Sequence, residues 1–209
     1  MLKKHSVLLG FSVSILLLII ATLNYPGGSQ FDKTAIGYSW TNNYISDLFG
    51  EKALIGLPNA GRFWAMGGMI FLSVSCSLFF AGFSKRIPKK GAANVIRYFG
   101  ITGMLFTFLI ATPLHDIMVT IASTIFLVSV FYITVFVFMS KLHLFKVLCA
   151  LYLLFFYSTL YIHGSGNLRE YLPTGQKILF AATLLLILGL HYFTKAEDFE
   201  PQLKTDTLV

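Results

Sequence analysis

The sequence predicts an all-α membrane protein, a polytopic bundle of six transmembrane helices with both termini cytoplasmic and a long outer loop that contains a short amphipathic helix. Three observations predict it. Apolar residues make up 56% of the 209-residue chain and charged residues only 12%, against about 25% charged in an average soluble domain, so there is too little charge to cover a water-facing surface. Six separate stretches reach the roughly 17–25 mostly apolar residues that cross a hydrocarbon core. Lys and Arg crowd the connections on one side of those stretches. The abundance of apolar side chains excludes a disordered chain, and two cysteines exclude a disulfide scaffold.

The first stretch covers residues 6–24. Met1-Leu2-Lys3-Lys4 imitates the start of a signal peptide. The apolar run that follows exceeds the usual length of about 7–15 residues, and no small-residue cleavage pattern surrounds Ala21–Tyr25, so the segment reads as a retained anchor. Residues 25–61 form the outer loop, which is longer than a passive connection and opens on the turn Tyr25-Pro26-Gly27-Gly28. Within it Ile36, Trp40, Tyr44 and Leu48 recur every fourth residue, while Ser39, Asn43 and Asp47 share the adjacent face. That pattern predicts the short amphipathic helix, lying on the outer leaflet or capping the bundle. Asn59 is the expected N-cap of the second span, 62–83.

The third and fourth spans, 95–114 and 117–139, are separated only by Pro113-Leu114-His115-Asp116 and read as a helical hairpin. Lipid removes the hydrophobic drive between helices, so packing falls to small residues and hydroxyls. Gly100, Gly103, Thr107 and Ala111 of the third span share one face, as do Asp116, Thr120, Ser123, Val130 and Thr134 of the fourth. The two stripes are expected to meet, the alternative being a polar wall along a cavity. The fifth span, 147–163, carries Tyr152, Phe156, Thr159 and His163 as a stripe with Tyr157 and Tyr161 beside it. Aromatics there serve as an interfacial belt or as ligand contacts. The sixth span is 178–193, followed by a cytoplasmic tail at 195–209, and the whole of 1–209 is one integral membrane domain. Cys76 and Cys149 fall within spans and read as packing residues.

With the N-terminus inside, eleven of the sixteen Lys and Arg lie on the inner side, as the positive-inside rule requires. The protein is therefore expected in a bacterial inner membrane. The same asymmetry accounts for most of the net charge of +7 with no nucleic-acid partner.

On this topology Asp47, Arg62, His115, Asp116, His163, Arg169 and Glu170 collect at the outer rim. The leading expectation is a pocket for a lipid or other amphiphile, built from Trp40, Asn43, Tyr44, Asp47, Arg62, His115, Tyr157, His163 and Arg169. Its role would be lipid binding, sensing or support of a membrane-protein partner, with membrane lipids as the principal partners and no cofactor. One alternative is a membrane-embedded hydrolase in which His115, His163, Asp116 and Asp47 perform acid–base chemistry on a lipid. In its metal-dependent form His115, His163 and Asp47 hold zinc, although no His-x-x-Glu-His or His-x-x-x-His pattern supports it, and no Gly-x-Ser-x-Gly elbow offers a nucleophilic serine instead. A small-solute transporter is a further alternative, and it would need midplane polar residues that are scarce here. Nucleotide and haem motifs are missing.

Several short motifs carry a family resemblance: Tyr25-Pro26-Gly27-Gly28, Asn43-Tyr44-Ile45-Ser46-Asp47-Leu48-Phe49-Gly50, Pro58-Asn59, Pro113-Leu114-His115 and Gly175-Gln176-Lys177. Their order resembles the uncharacterised polytopic family known as domain of unknown function 998, with Lys177 standing where that pattern carries an arginine. The resemblance implies six spans with the polar motifs on one membrane face, and no assigned reaction. A looser similarity is to membrane hydrolases of the alkaline ceramidase and progestin receptor group, which set several His and an Asp around zinc. Their paired His on a late helix is absent, so their ligands are not carried over.

Overall fold

The computed structural model describes residues 2–109 and 115–200, with side chains from 5 to 109 and from 117 to 200. Six α-helices dominate it: α1 (Leu2–Leu23), α2 (Arg62–Phe83), α3 (Lys90–Leu109), α4 (His115–Met139), α5 (His143–Ser165) and α6 (Leu172–Phe193). Each belongs to a segment long and apolar enough to cross a membrane, and among the described residues the only β-pairing is two isolated bridges.

Several helices begin before their apolar stretch does. α5 starts at His143 rather than near 147, and α6 at Leu172 rather than near 178. Hydropathy locates lipid-compatible residues, whereas the helical hydrogen-bond ladder continues through polar flanks. In α6 the added turn is Leu172-Pro173-Thr174-Gly175-Gln176-Lys177. Pro173 suits a first turn, where its missing N–H has no intrahelical partner to lose.

Neighbouring helices run antiparallel, and close approach depends on residues without bulk. Gly10 of α1 lies against the Ser75 hydroxyl of α2. A Cβ on Gly68 would stand 3.1 Å from the Ser14 carbonyl oxygen, and one on Gly61 would stand 2.5 Å from that of Ala21. Between α3 and α4, a Cβ on Gly103 would meet the Phe126 amide nitrogen at 3.2 Å, and Ser129 Oγ donates to the Ile96 carbonyl at 2.8 Å. Gly100, expected on the same contact, instead receives the Phe80 ring of α2. Three residues of helix turn the chain to within about 60° of its start, enough for two glycines of one stripe to serve different neighbours. Between α5 and α6 the Tyr152 hydroxyl donates to Thr183 Oγ1 at 2.9 Å, which itself donates to the Leu179 carbonyl. Cys76 and Cys149 are buried free thiols.

The start of α1 and the end of α6 lie at one end of the bundle, where His5 Nδ1 of α1 is 2.9 Å from the Tyr192 hydroxyl of α6. There Arg86, closing the 3₁₀ turn Ser84–Arg86, donates to the Leu190 carbonyl at 2.8 Å, the His191 carbonyl at 3.0 Å and Thr194 Oγ1 at 2.7 Å. A cation at these terminal carbonyls satisfies acceptors that the helix cannot. α6 packs chiefly on α5 and touches α1 and α2 lightly, so the seam between α1 and α6 is the open one.

Replacing Gly100 by Ala should force the Phe80 ring aside, at a cost of about 1–3 kcal/mol for overpacking. Gly82, with open space around its Cα, provides the control, since Gly82→Ala should be neutral or slightly stabilising through helix propensity. Thermal midpoints in one detergent compare the two.

Candidate functional site

The connection from α1 to α2 folds into a compact cap. Gly27 and Gly28 sit at φ +144 and +80, and Gly28 lies directly against the Leu54–Ile55 backbone, a conformation and a closeness that only glycine accepts. Gly28 N–H donates to the Ala35 carbonyl at 2.7 Å, and Gly27 bridges to Ile36. The four-residue repeat from Ile36 to Leu48 therefore does not form one helix. Gly37 is left-handed at φ +72, and the side chains of Ser39 and Asn43 accept backbone N–H groups that a helix would have used. The helix in this segment is a 3₁₀ turn, Ile45–Phe49.

Asn43 is the hub of the cap and is fully buried. Its amide donates to the Gly28 carbonyl at 2.8 Å and to Asp47 Oδ2 at 2.9 Å, while its Oδ1 accepts from Ser39 N–H at 2.9 Å. Asp47 Oδ2 also accepts from Tyr44 N–H at 2.9 Å. Burial raises the Asp47 carboxyl above the ordinary aspartate range, with the hydrogen bonds from Asn43 and Tyr44 and the charges of Lys177 and Lys33 pulling partly against it. Asn59, expected to cap α2, ties the cap together instead. Its amide donates to the Leu48 and Gly50 carbonyls at 2.9 and 3.0 Å, its Oδ1 accepts from Gly61 N–H at 3.0 Å, and Gly61 occupies the N-cap position. The reason is its place two residues before Gly61, one step too early to reach the first helical amides.

The first turns of α6 hold this cap. Gln176 Oε1 accepts from Ile45 N–H at 2.8 Å, and the Thr174 hydroxyl donates to the Thr41 carbonyl at 3.4 Å. Lys177 Nζ donates to the Asn43 carbonyl in a short contact and to the Pro173 carbonyl at 3.1 Å. The same ammonium stands 5.5 Å from the Tyr38 ring centroid, within cation–π range. Tyr38 meets Tyr25 and Trp40 edge to face, at 5.8 and 5.4 Å between centroids. Burial, with the Asp47 charge adding to it, raises the Tyr25 and Tyr38 phenols above the ordinary range, so both stay neutral.

Beneath the cap, between α1 and α6, lies a cleft of about 280 Å³. Ile15, Leu18, Ile19 and Thr22 form the α1 wall, and Lys177, Phe180, Ala181 and Leu184 the α6 wall. Each wall is an i, i+3, i+4, i+7 stripe, one face of a helix. Tyr38, Trp40, Ile45 and Leu48 roof it. The Thr22 hydroxyl donates to the Ile19 carbonyl at 2.8 Å. Lys177 is the one charged residue in the lining, and among the described residues no carboxylate lies within ion-pairing distance of it.

Of the residues expected at the site, Trp40 lines the cleft, while Asn43, Tyr44 and Asp47 build its roof from behind. Arg62 pairs with Glu51 at 3.0 Å. Tyr157, His163 and Arg169 are exposed near the α5–α6 turn, with Arg169 close enough for its charge to act on the Tyr44 phenol. His115 and Asp116 begin α4, but their side chains lie outside the described residues, as does the rest of the corner at 110–114. Among the described residues no three His, Cys, Asp or Glu side chains come together as metal ligands. Reasoning from sequence singled out Gln176 and Lys177 only as part of a family motif and placed neither them nor the two apolar stripes at the site. The signal that could have found them was the matching spacing of Ile15-Leu18-Ile19-Thr22 and Lys177-Phe180-Ala181-Leu184. No protein-family model, curated protein or solved structure matches the chain.

Two measurements test the cap. Asn43→Ala strips partners from buried groups at about 1–3 kcal/mol each, so limited proteolysis should cut residues 38–47 faster. Asp47 holds its proton more tightly folded than unfolded, so its contribution is complete below the ordinary carboxylate pKa, about 3.9, and is lost as pH rises through the raised value. Asp47→Asn keeps an acceptor and should flatten that part of the profile of thermal midpoint against pH.

Proposed function

We propose that the protein binds a membrane amphiphile in the cleft between α1 and α6, as a sensor or as an accessory to a membrane-protein partner. The observation that carries this reading is a single ammonium in the lining of an otherwise apolar cleft between two helices. An ionisable side chain at the edge of a hydrocarbon core is expensive to keep there and is a functional candidate for that reason. Apolar walls with one fixed polar group are the general design of a small-molecule site. The walls extend seven residues along each helix, about 10 Å at 1.5 Å per residue, within the roughly 15 Å of one leaflet's hydrocarbon.

The orientation belongs to the same proposal. Eleven of the sixteen basic residues belong to sequence segments on the other side of the spans from the 25–61 loop, which favours an outward cap in a bacterial inner membrane. The cleft would then draw its occupant from the outer leaflet. Asp47, one of the two carboxylates a hydrolase would employ beside Asp116, is engaged with Asn43 and Tyr44, which favours a framework role for it over a catalytic one.

Ala181→Phe tests this by filling the cleft from the α6 wall without touching the cap's hydrogen bonds. Protein purified in mild detergent is expected to retain a co-extracted amphiphile by native mass spectrometry. The variant should retain at least tenfold less at an unchanged thermal midpoint. Equal retention by both proteins, or none by either, would overturn the reading.

A further inference from the structure

We infer that the occupant of the cleft is a single-chain monoanion, a long-chain carboxylate, rather than a two-chain phospholipid. This rests on the reading of the cleft as an amphiphile site and narrows its chemistry.

Charge comes first. The Lys177 ammonium has two neutral acceptors, the Asn43 and Pro173 carbonyls, and no ion-paired carboxylate among the described residues. Its positive charge is therefore uncompensated at contact range beside an apolar wall, and an anion placed there gains a charge-assisted hydrogen bond. Stoichiometry comes next. An ammonium carries three N–H donors, and two are committed to carbonyls, so at most one is left for a ligand oxygen, beside the Tyr38 ring. Lysine is also a point charge without the planar fork with which arginine grips a phosphate through two parallel bonds. One free N–H suits a carboxylate oxygen held at one point.

The walls exclude the rest of a phospholipid. A glycerol backbone brings ester carbonyls, and burying those without donors is costly. The hydroxyl of Thr22 is already donated to the Ile19 carbonyl, and that of Tyr38 to the Asn43 carbonyl at 3.4 Å, which leaves the indole N–H of Trp40 as the one uncharged side-chain donor of the lining, too few for the two ester carbonyls of a phospholipid. Volume agrees, because about 280 Å³ along walls of about 10 Å takes the carboxylate end of one chain, whose remainder stays in the surrounding hydrocarbon. The space suits one chain.

Trp40 supplies a built-in reporter, since it lines the cleft and Trp64 is the only other tryptophan. In full-length Trp64→Phe protein in phosphatidylcholine nanodiscs, brominated stearate should quench Trp40 saturably at a pH that ionises the carboxylate. The brominated alcohol of equal length and phosphatidylglycerol with brominated chains should bind at least tenfold more weakly. Ala181→Phe should abolish the saturable component, whereas quenching by bulk partition would survive it. Lys177→Gln should weaken stearate at least tenfold and leave the alcohol unchanged, a selectivity that a merely structural lysine would not produce. Should that variant fail to fold, the headgroup comparison in the parent protein decides alone. Equal quenching by the alcohol or by phosphatidylglycerol would overturn this inference while leaving amphiphile binding intact. Saturable quenching by none of the three would overturn both.

Discussion

The ammonium of Lys177 is the point on which the cap, the sixth helix and the cleft depend together. A charge near hydrocarbon must be solvated by the protein, and here backbone carbonyls provide that solvation. One belongs to its own helix at Pro173 and the other to Asn43, far away in sequence. The Asn43 carbonyl can face α6 only because the Asn43 side chain is locked from the opposite side by Gly28, Ser39 and Asp47. The carboxylate that could have neutralised the lysine is thus spent on the loop and acts on it through space alone. A lysine in the cleft lining with carbonyl partners and no carboxylate at contact distance follows from that division of labour.

The cleft exists because α1 and α6 are tied at both ends and mismatched between them. At one end His5 meets Tyr192, and Arg86 holds the last carbonyls of α6 to the α2–α3 connection. At the other end the cap rests on Thr174, Gln176 and Lys177. Along α2, by contrast, α1 approaches through Gly10, Gly61 and Gly68, which let two backbones come close. On the side of α6, α1 offers Ile15, Leu18, Ile19 and Thr22, which line the cleft without filling it, while Leu18 also packs on Gly68 of α2.

Much of this fold is legible in the sequence, because lipid imposes a length and a composition on every span. The six apolar stretches appear as helices, and Gly100 and Gly103 of the α3 stripe appear at helix contacts, one on α2 and one on α4, while the Thr107 hydroxyl is bonded within its own helix. What hydropathy conceals is the polar first turn of α6. A window that opens the span at Ile178 leaves Lys177 among loop residues, when it is in fact the second turn of a helix. The loop misleads for the converse reason. A spacing of four from Ile36 to Leu48 imitates a helix, but the left-handed Gly37 and the side chains of Ser39 and Asn43 redirect the backbone through local hydrogen bonds that periodicity cannot register. Asn43 and Asp47 stand out as polar chemistry in the sequence and prove to be the cap's framework. The residue that faces the cleft was hidden in a flank.

The pairing of α1 with α6 was the least readable feature, and the reason lies in how it is specified. Spacing within a helix says which residues share a face but not which helix that face meets. Here the partner is chosen by the intervening loop, which leaves α1, grips α6 at three successive side chains and only then returns to α2. A two-residue turn could join α1 to α2 but could not reach α6. Some thirty-odd residues of connection, more than the roughly 12–15 usual for an unstructured loop, are what it takes to roof a seam between the first helix and the last. The length of the loop and the existence of the cleft are one structural fact, since a shorter connection would leave Lys177 without the Asn43 carbonyl and the α1–α6 seam without a lid.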